Sequence, residues 1–150
     1  MVVNSLTVQG LIMADTIRRL DYYSVRIPNK VGEGARVLGA LRDAGVNLTG
    51  LWGYQTKPSQ AQLELAPEDS ASFKKAARKA GLKLSEKQTA FLLSGEDRPG
   101  AVADVLDRLA QDGISVVAVK AVCAGAGHFG AAFFIHSNDA RKAAKALGVR

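Results

Sequence analysis

Asn29-Lys30-Val31-Gly32 and Asp97-Arg98-Pro99-Gly100 are the two stretches on which the reading of this chain turns. Laid over one another at the offset that brings Gly32 onto Gly100, the chain agrees with itself on both sides. Without a gap, Tyr23 falls on Phe91, Val25 on Leu93, Val37 on Val105, Leu38 on Leu106, Leu41 on Leu109 and Gly45 on Gly113. Val46 then meets Ile114 and Leu48 meets Val116. After one single-residue gap, Ala76, Ala77 and Gly81 align with Ala143, Ala144 and Gly148. Apolar pattern, turn glycines and spacing repeat together, which marks an internal duplication to be settled before any element is assigned.

Both copies predict the same order of elements. Residues 22–27 and 89–93 are β-rich runs that read as first strands. A polar loop with the aligned glycine follows, then an apolar stripe at 37, 38, 41 and 44, matched by 102, 105, 106 and 109, which is one buried helix face. Gly45 and Gly113 stand just past the last stripe residue, where a left-handed cap is wanted. Second strands over 46–54 and 114–124, a turn rich in breakers, third strands over 61–66 and 129–135, and second helices complete each copy. The order β-α-β-β-α-β predicts an α+β protein, the ferredoxin-like unit repeated twice, with antiparallel sheets and the helices on one face.

The expected domains are therefore 20–85 and 86–150, after an N-terminal extension over residues 1–19 that matches nothing later. That extension reads either as a leader, with Met13 as the start, or as an edge strand built on the alternating Leu6-Thr7-Val8. The edge strand has a reason: copy one closes with a strand over 82–85, whereas only Val149 and Arg150 follow Gly148 in copy two. A unit of about 65 residues buries too little surface to stand comfortably alone, so the copies are expected to pack on a neighbour and the chain to form a homodimer.

Composition excludes several classes. The 150 residues carry a formal charge of +6, which raises nucleic acid as a partner. Much of the charge sits at Lys74, Lys75, Arg78 and Lys79 and at Arg141, Lys142 and Lys145, with alanine between the cations, the pattern of a solvated helix face. The run from Gly127 to Phe134 has some likeness to an RNA-reading strand but lacks the leading basic-Gly pair and has Ala131 at the central stacking position. Nucleic acid is thus not the expected partner. One cysteine precludes an internal disulfide and fits a reducing cytoplasm; its place in an apolar run predicts a buried strand position for Cys123. No run approaches the roughly 20 apolar residues of a membrane span.

His128 and His136 flank one strand at opposite ends, and no His, Cys or carboxylate cluster has metal spacing. No catalytic residue, metal or cofactor is expected, and the chain reads as a binding protein rather than an enzyme. Trp52 and Tyr54 read equally as interface anchors or as core.

The loop between first strand and first helix carries the informative chemistry. Asp97 has the chemistry to cap the following helix, Pro99 has no N–H to leave unpaired, and Gly100 lets backbone or ligand approach closely. Free N–H groups at a helix start suit a carboxylate, and the Asp97 carboxylate suits an ammonium; together they make a socket for a zwitterion. The alternative is that Asp97 only caps its helix and Arg98 is solvated.

Asp-Arg-Pro-Gly, then an apolar helix, then Asp112-Gly113-Ile114-Ser115, resembles the ACT domain, a family of small, usually paired regulatory modules that commonly sense amino acids. Copy one, with Asn29-Lys30-Val31-Gly32 and Ala44-Gly45-Val46-Asn47, is similar, so the resemblance covers about residues 20–149. It implies an amino-acid ligand held where two modules abut, contacted by first-loop residues and by a polar residue early in the second strand. Carried over, these are Asn29, Lys30, Gly32 and Asn47 in copy one, and Asp97, Arg98, Pro99, Gly100 and Ser115 in copy two. Copy one departs at Val31, where the family prefers proline, and copy two at Ser115, shorter than the usual asparagine. The resemblance also implies a possible second role, docking on a metabolic enzyme as a regulatory subunit.

Overall fold

The computed structural model describes residues 15–150; Leu6-Thr7-Val8 and Met13 lie outside the described residues. The chain divides into two compact units, Asp21–Gln88, and residues 15–20 with Thr89–Arg150.

In the first unit, β1 (Thr16–Pro28) leads to α1 (Glu33–Asp43), β2 (Leu48–Lys57), β3 (Gln60–Pro67) and α2 (Ser70–Lys79). β3 pairs antiparallel with β1, Tyr23 opposite Leu65, and with β2, Leu51 opposite Leu65. Alternation along β1 turns Tyr23, Val25 and Ile27 towards Val37 and Leu41 of α1 and Phe73 of α2, forming one closed apolar cluster. The expected closing strand over 82–85 is reduced to a single bridge, Val25 to Leu84. Its hydrogen bonding is partly taken over by a side chain: the Ser24 amide donates to Ser85 Oγ at 2.9 Å, while the Ser85 amide donates to the Ser24 carbonyl at 2.9 Å.

The second unit repeats this plan with β4 (Gln88–Glu96), α3 (Ala101–Gln111), β5 (Val116–Gly125), β6 (His128–Ile135), a short 3-10 turn (Ser137–Asp139) and α4 (Ala140–Leu147). Phe91 on β4 faces Phe133 on β6, which faces Val119 on β5. Phe91, Leu93, Leu109, Phe133 and Ala143 are wholly buried in its cluster. Left-handed glycines fall at equivalent places in both copies: φ is +90° at Gly32 and +82° at Gly100, +71° at Gly45 and +66° at Gly113, +70° at Gly81 and +69° at Gly148.

β1 begins at Thr16, before the expected boundary at residue 20. Residues 16–20 belong to the second unit, where Ile17 packs on the core. Thr16, Arg18 and Arg19 are exposed and Leu20 is buried; the adjacent arginines break the alternation that identifies a strand in sequence.

Two further expectations change. Cys123 is exposed rather than buried, with Sγ donating to the His128 carbonyl at 3.3 Å, because β5 is the outermost strand of its unit. Phe129, Phe133 and Phe134 are 9%, 0% and 6% exposed, so β6 presents no open aromatic surface for stacking bases. The basic helix residues from Lys74 to Lys79 and from Arg141 to Lys145 are exposed, while Ala76, Ala77, Ala143 and Ala144 between them are buried. Tyr54 is exposed at its ring yet bonded at its hydroxyl to Glu64, and Trp52 folds over Gly50, where an added Cβ would strike the indole.

On the sheet face of the first unit away from its helices, Glu64 is buried at 6% exposure and accepts hydrogen bonds from Ser24 Oγ at 2.5 Å, Gln62 Nε2 at 2.7 Å and Tyr54 Oη at 2.9 Å. Beside it, Tyr22 Oη donates to Gln88 Oε1 at 3.2 Å. Burial first, then the Glu64 charge and Tyr54, push the Tyr22 phenol up to about 12. A phenol that ionises later in the folded chain stabilises the fold fully below its unfolded value near 10 and loses that contribution as pH rises towards 12. Tyr22→Phe is therefore expected to flatten the fall of stability between about pH 10 and 12, measured by urea unfolding, at a neutral-pH cost of about 1 kcal/mol for the lost hydrogen bond.

Candidate functional site

The loop between β4 and α3 starts from the backbone. The Asp97 amide donates to the Gly127 carbonyl at 2.7 Å, tying the loop to the β5–β6 turn. Gly100, not Asp97, is the N-cap of α3, with no side-chain cap. The Gly100 carbonyl accepts from the Asp104 amide at 3.0 Å. The expected Asp97 cap is absent because the left-handed turn at Gly100 moves the helix start to Ala101, leaving Asp97 three residues short of the capping place. Gly100→Ala is expected to cost about 1–2 kcal/mol for forcing a Cβ into this region, read as a shift in urea midpoint; Gly32→Ala should match it.

Arg98 is not a solvated side chain. Its Nη1 lies 2.9 Å from Asp104 Oδ2 and its Nη2 lies 3.1 Å from Asp15 Oδ2. The hydrogen bond that Arg98 donates to Asp104 raises its pKa most; partial burial works the other way, and Asp15 raises it further. The Asp15 side chain is only 9% exposed, and its Oδ1 is buried without a hydrogen-bond partner. That oxygen lies against Gly95, where any Cβ would collide with it.

The copy-one candidates serve local structure. Asn29 Nδ2 donates to the Pro58 carbonyl at 3.1 Å and its amide to the Ser59 carbonyl at 3.0 Å, so it clamps the β2–β3 turn. Asn47 Nδ2 donates to Glu68 Oε1 at 2.7 Å, and its carbonyl accepts from the Glu68 amide at 3.1 Å, fixing the start of α2. Lys30 and Gly32 are exposed on the same loop.

Two clefts lie in the second unit. The smaller, of about 380 Å³, brings together Asp97, Arg98 and Gly100 with Ala121, Val122 and Cys123 of β5. Pro99 and Ser115 are exposed and line neither cleft. The larger, of about 670 Å³, is lined by Arg98 but otherwise by residues the sequence did not single out, among them Asp15, Asp104 and Arg108. Asp104 follows Arg98 by six residues, a weak signal; Asp15 lies in a stretch with no counterpart in the repeat and carried none. Arg98 borders both clefts. Among the described residues no group of three or more His, Cys, Asp or Glu side chains could hold a metal ion, and no helix is long and apolar enough to cross a membrane.

No protein-family model matches the chain, and no curated protein does. Solved structures do. A protein from Bacteroides thetaiotaomicron superposes with a TM-score of 0.74 at 19% identity, over 87% of each chain. The regulatory subunit of aspartate kinase from Thermus thermophilus, in a ligand-free form, gives 0.61 at 15% identity, over 89% of this chain and 94% of that one. The corresponding subunit from Thermus flavus gives 0.56 at 16% identity, over 90% and 94%. At such identities the likeness is one of fold: an α+β, ferredoxin-like frame.

Proposed function

We propose that this chain is a non-catalytic regulatory protein of the ACT type, cytoplasmic and homodimeric, that binds an amino acid or a similar small zwitterion through its second copy. One observation carries the reading. Of the two equivalent loops, the copy-two loop borders a cleft with a carboxylate, a guanidinium and a close-approach glycine, Asp97, Arg98 and Gly100, at its mouth. In copy one, by contrast, Asn29 and Asn47 are engaged in holding turns. Asp97 is exposed and beside the start of α3, so an ammonium can meet its carboxylate while the helix end favours a carboxylate. The likeness to regulatory subunits of aspartate kinase supports a regulatory role.

A thermal-shift screen over the twenty amino acids tests this. A ligand at a hundredfold its Kd should stabilise the chain by about 2.7 kcal/mol, and Asp97→Ala should abolish the shift produced at the loop, whereas Asn29→Ala should leave it. A second reading, docking on a metabolic enzyme, is favoured by the outer strand β5, where Val117 and Val122 are 57% and 69% exposed. Silence across the whole panel would transfer the weight to it.

A further inference from the structure

We infer that the larger cleft of the second unit is a ligand site distinct from the loop, built for a zwitterion with a branched aliphatic body. The inference rests on the amino-acid-binding reading for its ligand class and assigns a different place. Its volume of about 670 Å³ lies within the range of small-molecule sites. Ile17, Leu93, Val105 and Leu147 contribute apolar side chains, and none of its lining residues is aromatic, so it suits an aliphatic rather than a ring-bearing body.

The polar groups supply both ends of a zwitterion. Arg98 and Asp104 are engaged with one another. Arg108, which also lines the cleft, makes no hydrogen bond or ion pair among the described residues and is a free anchor for a carboxylate. At the Asp15 side, a carboxylate nine-tenths buried has one oxygen, Oδ1, with no donor. That oxygen is turned against Gly95, which does not line the cleft, so the acid open to an incoming ammonium is Asp107, which lines the cleft and makes no ion pair among the described residues. Asp15, Asp104 and Asp107 against Arg98 and Arg108 leave the lining one acid in excess, which favours a ligand that brings a cation with its carboxylate over a simple anion.

The test is isothermal titration of the full chain with valine, isoleucine and leucine, alongside leucinamide, which lacks the carboxylate, and 4-methylpentanoate, which lacks the ammonium. At least one of the three amino acids is expected to bind, and 4-methylpentanoate at least tenfold more weakly than leucine. Arg108→Gln should weaken the amino acid at least tenfold, change leucinamide less than twofold, and leave the unliganded Tm nearly unchanged, since no hydrogen bond or ion pair among the described residues is lost. Asp97→Ala should leave this binding intact. If the amino acid binds but is indifferent to Arg108→Gln and lost in Asp97→Ala, the inference is overturned and the loop reading survives. If none of the three binds, the inference is overturned as well; the amino-acid-binding reading falls only when the remaining amino acids are silent too.

Discussion

Leu41→Ala and Leu109→Ala are each expected to lower the unfolding free energy by about 2–5 kcal/mol. Leu41 is 1% exposed and Leu109 0%, so each truncation removes buried methyl groups and leaves a void that neighbours fill only in part. The two positions also do the same backbone work. The Leu41 carbonyl accepts from the Val46 amide at 3.0 Å, and the Leu109 carbonyl from the Ile114 amide at 3.0 Å, closing the helix end where Gly45 and Gly113 turn the chain. Because the clusters around them are separate, the effects of the two substitutions should add within about 0.5 kcal/mol. Urea unfolding of the two single variants and the double variant measures this. A near-neutral result at either position would mean that the two cores are not equivalents.

The second large effect is expected at Arg98. Arg98→Met keeps most of the packing volume but removes the guanidinium that pairs with both Asp15 and Asp104. Asp104 is half exposed and turns to solvent; Asp15, at 9% exposure, does not. Leaving that buried carboxylate alone should cost about 1–3 kcal/mol or somewhat more. Adding Asp15→Asn to Arg98→Met should recover part of the loss, since a neutral amide tolerates the site better than an unpaired charge. Hydrogen exchange gives the structural side of the same test. Amides of residues 16–20 should exchange faster in Arg98→Met, because the ion pair fixes the start of β1 in the second unit.

Much of the fold could be read from the chain because each signal occurs twice in the sequence. Leu41 with Leu109, Tyr23 with Phe91, and the three pairs of left-handed glycines each corroborate the other, and β-α-β-β-α-β follows from their spacing. What escaped was whatever exists once. Residues 16–20 have no counterpart, and Arg18-Arg19 hides their strand character. The strand over 82–85 shrank to one bridge because Ser85 replaced a backbone acceptor with its hydroxyl, which no periodicity records.

The site was legible only in part, for a related reason. Asp97, Arg98 and Gly100 do meet at a cleft, because the loop that holds them is local in sequence. Asn29 and Asn47 are equally well placed by the repeat, yet their amides are directed to Pro58 and Glu68, and side-chain direction is a tertiary property. The ion pair between Asp15 and Arg98 spans 83 residues, beyond what local pattern can join. The capping role given to Asp97 failed over one torsion angle, the left-handed φ at Gly100.

The most direct measurement of the central claim is an amide NMR titration of the full chain with each of the twenty amino acids. The account predicts saturable shifts for at least one of them, centred on residues 95–108 and 121–123, with residues 29–32 and 47 unmoved. Shifts centred on Asn29 and Asn47, or no saturable shift from any of the twenty, would contradict it.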